Sequence, residues 1–301
     1  MTPHRRDLLK AALALPLLAA CNGDKKPRAT PSTPAGPVAL QDVGGNAAPG
    51  LEIGDAEAEL LRGTSRYAFG LVGPDGPVGG AKATVYVGQD PERPATATVQ
   101  AVELVDSGLG GRGLYVASVP FPATGEYLVA IVAETAKGAM KGGTKVTVGA
   151  TSKSPVPGQR PPAIRTPTTA DPMGATPLCS RRPACGLHTV SLDAALRSGK
   201  PTVVVFAAPA FCQTELCGPD VDIVRDVAQR FAGRANFLHV EAYRGATNPT
   251  NGKLAPALDA FKFDSEPWLY VMDARGIVSD RISGAFAAVE LTERLAKVGV
   301  S

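Results

Sequence analysis

The sequence predicts an all-β sandwich over residues 51–149, followed by an α/β domain over 178–301. Short alternating apolar runs between turn signals fill the first region, which is the period of half-buried strands. The second region reads β-α-β-α-β-β-α, with a continuous apolar strand near its head. Stretches rich in Pro, Gly and Thr set the two regions apart from each other and from the N-terminus. The 301 residues suffice for about two domains of roughly 150 residues.

The chain starts with a charged segment containing Arg5 and Arg6, then an apolar run from Ala11 to Ala20. That run is too short to span a bilayer, so residues 1–20 read as a signal peptide. Leu18-Ala19-Ala20-Cys21 resembles a bacterial lipobox, which implies cleavage before Cys21 and a diacylglyceryl group on its sulfur. His4-Arg5-Arg6-Asp7-Leu8-Leu9-Lys10 also resembles a twin-arginine export motif. Both place the folded part on the extracytoplasmic side of a cell membrane, held by a lipid anchor. Residues 21–50 lack apolar periodicity and read as a flexible tether, because they offer too little apolar surface to offset ordering entropy. The net charge of +3 is carried by scattered basic residues, which argues against nucleic acid as a partner.

Candidate strands in the middle region are Arg66–Val72, Ala83–Val87, Thr96–Val105, Leu114–Val119, Glu126–Ala133 and Lys145–Val148. Their number and spacing suit a β-sandwich, and GEYLVAIVAE resembles a late strand pair of immunoglobulin-like modules. Gly108-Leu109-Gly110-Gly111-Arg112-Gly113 matches GxGxxG, but a strand follows where a dinucleotide site needs a helix. It reads as a hairpin loop, and no cofactor is expected. Residues 150–177, rich in Pro and Thr, read as a semi-extended linker.

In the last region the expected order is helix Ser191–Arg197 with a Ser N-cap, strand Thr202–Phe206, helix Pro219–Ala232 and strand Asn236–Glu241. Helix Leu254–Phe261, a hairpin of Trp268–Met272 with Ile277–Ile282, and helix Val289–Val298 complete it. This order, with cysteines in the loop after the first buried strand, resembles the thioredoxin fold. SLDAALRSGKPTVVVFAAP and FDSEPWLYVMDARGIVSDRISGA are similar to segments of membrane-anchored extracytoplasmic thioredoxin-like proteins. The resemblance implies that Pro267 is a cis-proline facing redox cysteines, with Glu266 and Trp268 beside a substrate groove. Trp268 would alternatively fill core.

The cysteine pair departs from the family's Cys-x-x-Cys, being Cys212-Gln213-Thr214-Glu215-Leu216-Cys217. Counting from Phe206 puts Cys212 at the family's nucleophile; counting back from the next strand puts Cys217 there. Cys217-Gly218-Pro219-Asp220 then matches Cys-Gly-Pro-Cys except at its last residue, and Pro219 suits a first helical turn. A helix N-terminus favours a thiolate, which makes Cys217 the candidate attacker, or Cys212 if it is the more exposed. Val205 stands where thioredoxins carry a buried acid. AFCQTEL resembles a peroxidatic loop, but Pro209 and Gln213 replace that loop's key residues, so peroxide reduction is not expected.

Five cysteines less the one in the leader leave an even number, consistent with two disulfides in an oxidising compartment. Cys179 and Cys185 read as a structural disulfide, or alternatively as a second thiol pair relaying electrons. His4, His188 and His239 are the only histidines; His239 sits within a strand, and no metal site is expected. Thiol–disulfide exchange on exported proteins is the leading expectation. The alternative is a binding or scaffolding lipoprotein whose disulfides are structural.

Overall fold

In the middle region, inward-facing side chains alternate along each strand and meet across two sheets. The computed structural model describes residues 37–105, 113–212, 215–244 and 254–301. One sheet has β1 (Glu52–Asp55), β3 (Gly63–Gly73), β8 (Leu114–Phe121) and β7 (Val102–Leu104) in that order, with β4 (Gly76–Pro77) also paired to β3. The other runs β2 (Leu60–Leu61), β10 (Gly138–Gly149), β9 (Gly125–Thr135), β5 (Lys82–Gly88), β6 (Ala97–Gln100). Tyr67, Phe69 and Leu71 of β3 pack with Val85 and Val87 of β5, Tyr115 and Val119 of β8, and Tyr127, Val129 and Ile131 of β9. Each such side chain contributes about 1.5–3 kcal/mol by leaving water. The expected strand Thr96–Val105 proves to be two. β6 pairs with β5 in one sheet, and β7 pairs with β8 in the other, so the chain changes sheets at Ala101.

Lys145–Val148 is the tail of the longer β10. Gly142 and Gly143 interrupt the alternation there, and a Cβ on Gly142 would meet the Leu51 carbonyl oxygen at 1.8 Å. The GxGxxG string lies outside the described residues except for Gly113. The expected tether ends earlier than Gly50. From Pro37 the chain lies on the sandwich, with Leu40 and Val43 buried and the Leu40 amide bonded to the Arg93 carbonyl at 2.8 Å. Two apolar residues are too few to produce a periodic signal, yet they suffice to dock a short segment.

The C-terminal sheet has the order β12 (Asn236–Glu241), β11 (Thr202–Ala207), β13 (Trp268–Met272), β14 (Val278–Ser283). β11 and β12 are parallel, and the other pairs are antiparallel. α1 (Leu192–Arg197), α2 (Cys217–Arg230), α3 (Pro256–Phe261) and α4 (Ala288–Lys297) complete the region. Val203 and Val205 face the core shared with α2 and α4. Val204 and Phe206 face α1 and α3. With both faces covered, β11 is apolar throughout rather than alternating.

The segment 150–177 is not a free linker. It lies along the C-terminal sheet: the Gly158 amide bonds the Val278 carbonyl at 2.8 Å, and the Tyr270 hydroxyl bonds the Pro155 carbonyl at 2.9 Å. The edge of β14 offers partners that an extended, proline-rich chain can still use. Ser191 occupies the N-cap of α1, but its hydroxyl accepts from the Thr166 amide and donates to Asp193 instead of capping. Thr166 Oγ1 takes the Leu192 amide at 3.0 Å.

Residues Pro37–Ser301 form one compact body, and the sandwich is joined to the C-terminal region by a built contact. Glu57 bridges to Gly284, just past β14, and the Ala285 amide bonds the Ala56 carbonyl at 2.9 Å. Gly284 has φ +102°, and a Cβ there would meet the Ala56 oxygen at 2.0 Å, so only glycine fits. Arg66 of β3 reaches across to Glu290 of α4 through Nε and Nη2, both at 2.8 Å, and to Glu57 at 2.5 Å. Glu59 pairs with Arg281 beside it. No helix among the described residues is long and apolar enough to cross a membrane.

Candidate functional site: a disulfide loop at one end of the sheet

β11 runs into a loop that ends at α2, and Cys212 in that loop is bonded to Cys217, with Cα atoms 5.9 Å apart. The loop starts as a tight turn in which the Ala208 carbonyl accepts from the amides of both Phe211 and Cys212. Glu215, just before the helix, has φ +58°, a conformation that non-glycine residues rarely adopt. Cys217 is the first residue of α2, which starts ahead of the expected Pro219. It is wholly buried, at 0% exposure, whereas Cys212 is only partly buried. This meets the condition under which the sequence named Cys212 rather than Cys217 as the candidate attacker. Cys217 lies at the helix N-terminus, and Cys212 is the more exposed of the two sulfurs.

Leu216 packs against Ala56, Ala68, Leu114 and Ala285, so the sandwich forms one wall of this loop. A cleft of about 250 Å³ opens here, lined by Glu215, Leu216 and Pro219 on one side and Asp55, Leu71 and Val78 on the other.

Pro267 follows a cis peptide bond from Glu266, as expected. Phe206 pairs with Trp268, so Pro267 lies at the end of the sheet where β11 leaves for the cysteine loop. Glu266 accepts a 3.0 Å hydrogen bond from the Tyr243 hydroxyl. Trp268 takes the second of its two expected places: 4% exposed and stacked on Phe263 at 4.8 Å, it fills core rather than a groove.

β11 carries no buried acid, but α2 does. Asp220 lies three residues after Cys217 on the same buried face of α2 and is 0% exposed. Neither of its carboxylate oxygens completes a hydrogen bond among the described residues. Burial pushes its pKa well above the usual carboxylate range; the nearby Phe286 amide and Arg66 guanidinium only partly oppose this. Burial thus favours the protonated form of Asp220. It escaped notice in the sequence because it reads as an acidic residue in a first helical turn, where acids are common.

Cys179 and Cys185 do not form the expected disulfide. Their sulfurs are 3.6 Å apart, against about 2.05 Å for a bond, and both are buried thiols. The hydrogen bond between them draws the Cys179 thiol well below the usual range and raises that of Cys185. The side chains of His188 and His239 converge on the same point, a grouping that local sequence spacing does not show.

No protein-family model matches the chain, and no curated protein matches it. Among solved structures, a thiol:disulfide interchange protein of the thioredoxin family from Chlorobium tepidum TLS is a structural neighbour. It is 18% identical, with a TM-score of 0.33, covering 50% of this chain and 99% of its own. The PKD domain of the human VPS10 domain-containing receptor SorCS2 is 17% identical, with a TM-score of 0.20, covering 46% of this chain and 99% of its own.

Proposed function

We propose that this protein exchanges thiols and disulfides with exported proteins through Cys212 and Cys217, from a thioredoxin-like domain carried by an immunoglobulin-like sandwich. The observation that carries this reading is the disulfide itself. It joins a partly exposed loop sulfur to a buried sulfur at a helix N-terminus, at the sheet end that also holds Pro267. The signal-like leader and Cys21 support a lipid-anchored position on the extracytoplasmic side of a cell membrane.

In the reductive direction, the Cys212 thiolate attacks one sulfur of a partner disulfide. The partner's S–S bond breaks, and its other sulfur leaves as a thiolate that takes up a proton. Cys217 then attacks the Cys212 sulfur of the mixed disulfide. The partner leaves fully reduced, and the Cys212–Cys217 bond re-forms. In the opposite direction Cys217 is the leaving group. A thiolate there is buried, and Asp220 is the proton source on the same helix face.

Redox titration with mass mapping tests the reading. A Cys212–Cys217 reduction potential above about −300 mV is expected; a value well below that marks a structural bond and removes the proposal. The complete burial of Cys217 favours that second reading, a scaffolding protein with a structural disulfide. Asp220→Asn separates the acid's role from the fold. It should slow reduction of the bond by dithiothreitol by roughly 100-fold or more near neutral pH, within the range general acids contribute. An unchanged rate across pH 5–9, with unchanged stability, would show that Asp220 takes no part in proton transfer.

A further inference from the structure

The geometry points to a structural zinc site formed by Cys179, Cys185, His188 and His239, separate from the exchange disulfide. All four residues are buried, and one ligand atom from each lies within 4.8 Å of every other. The distances fit a tetrahedron around one ion. Bonds of about 2.3 Å to sulfur and about 2.0–2.1 Å to nitrogen put the ligand atoms of a tetrahedral zinc roughly 3.4–3.8 Å apart. The two sulfurs are 3.6 Å apart, and His239 Nδ1 lies 3.8 Å from Cys179 Sγ and 3.4 Å from Cys185 Sγ.

The surroundings orient the donors. His239 Nε2 lies 3.2 Å from the Ala207 carbonyl oxygen, which can only accept, so the proton sits on Nε2. That leaves the Nδ1 lone pair directed at the sulfurs, the arrangement metal-bound histidines adopt. The Leu187 amide donates to Cys185 Sγ at 3.4 Å, as outer partners do for bound thiolates. His188 Nε2 is buried with no hydrogen-bond partner among the described residues. A thiol–thiol contact alone leaves that nitrogen unsatisfied.

Charge selects the ion. Two thiolates and two neutral imidazoles carry −2, which a divalent cation cancels, whereas a monovalent one leaves a buried negative charge. Binding converts two thiols and one zinc ion into two zinc–sulfur bonds and releases two protons. The cysteine segment is fastened around the site. Ser180 bonds Glu241 through its amide at 2.9 Å and its hydroxyl at 2.8 Å, and Arg181 pairs with Asp222 of α2 at 2.9 Å. A cavity of about 340 Å³ lined by His188, His239 and Glu241 gives an entry path.

The test is metal analysis of the purified full-length protein, followed by replacement of zinc with cobalt. About one zinc per chain is expected. The cobalt form should show intense tetrahedral visible bands and thiolate-to-metal absorption in the near ultraviolet. Cys185→Ser and His239→Gln should each weaken zinc binding by more than the roughly 10–100-fold that loss of an outer partner costs. If those variants do not fold, the cobalt spectrum of the unaltered protein decides. A Cys179–Cys185 disulfide in the mass map, or a cobalt spectrum without thiolate absorption, overturns the site. The redox titration of Cys212 and Cys217 is scored separately, so either proposal can fail alone.

Discussion

A Cys217→Ser variant should accumulate mixed disulfides through Cys212, while Cys212→Ser should remain free of adducts. The expectation follows from access. Cys212 is partly exposed in its loop, and Cys217 is wholly buried under the first turn of α2. Attack on a partner must come from Cys212, and resolution of the mixed species must come from Cys217, whose Cα is 5.9 Å away. Without Cys217 the intermediate has no intramolecular exit. Well-oriented intramolecular groups reach effective concentrations of about 10⁵ M or more, so loss of the resolving sulfur should lengthen the adduct's lifetime by several orders of magnitude. Non-reducing electrophoresis and mass spectrometry read the adducts, and alkylation rates of the lone cysteine in each variant read access. Cys212 should alkylate at least about tenfold faster than Cys217, since thiol reactivity follows exposure as well as thiolate fraction. Faster reaction at Cys217, in a variant with native circular dichroism, would reverse the assigned roles.

Replacing Arg66 with Met should cost about 3–5 kcal/mol at neutral pH, because it leaves the buried Glu57 without its counter-charge. Arg66 holds Glu57 and both oxygens of Glu290, and it also donates to the Ala285 carbonyl at 2.7 Å. Glu290 also has Arg294 at 3.8 Å, so Glu57 is the carboxylate that depends most on Arg66. Burial pushes the pKa of Glu57 up to about 7, with Arg66 and Ser283 pulling the other way and Glu290 adding to the rise. A raised carboxyl pKa means that the folded chain binds the proton more tightly than the unfolded one. Its contribution is complete below about 4.5 and is lost as pH rises through about 7. The unaltered protein should therefore unfold at lower urea concentration at pH 8 than at pH 5. In Arg66→Met the carboxyls lose their stabilising charge, so the gap between the two pH values should widen. Equal destabilisation at both pH values would mean that Arg66 acts through packing alone.

Much of this was legible in the sequence, for identifiable reasons. Thr202–Phe206 is apolar without alternation because both faces of β11 are covered. α2 shows through Val221, Val224 and Val227, which repeat at helical spacing. Pro267 at a strand start foretold the sheet end that the cysteine loop shares. What failed was whatever depends on distant partners. The grouping of Cys179 and Cys185 with His239 spans 54 residues from Cys185, and a strand histidine carries no spacing signal. Cys217 is buried in a core with Leu269 and Phe286, and Arg66 of the sandwich lies near Asp220, partners that are distant in sequence. Residues 150–177 looked like a linker because proline hides pairing with an edge, although the amides that remain do bond to β14.

The contact of Leu216 with Ala68 and Leu114 has a kinetic consequence. A six-residue ring opened by reduction would ordinarily slacken, and its ends would spend most of their time apart. Here Leu216, next to Cys217, is partly buried against the sandwich. Cys217 itself lies in the first turn of α2. Closure of the ring by Cys212 then meets a Cys217 that the fold already holds in place.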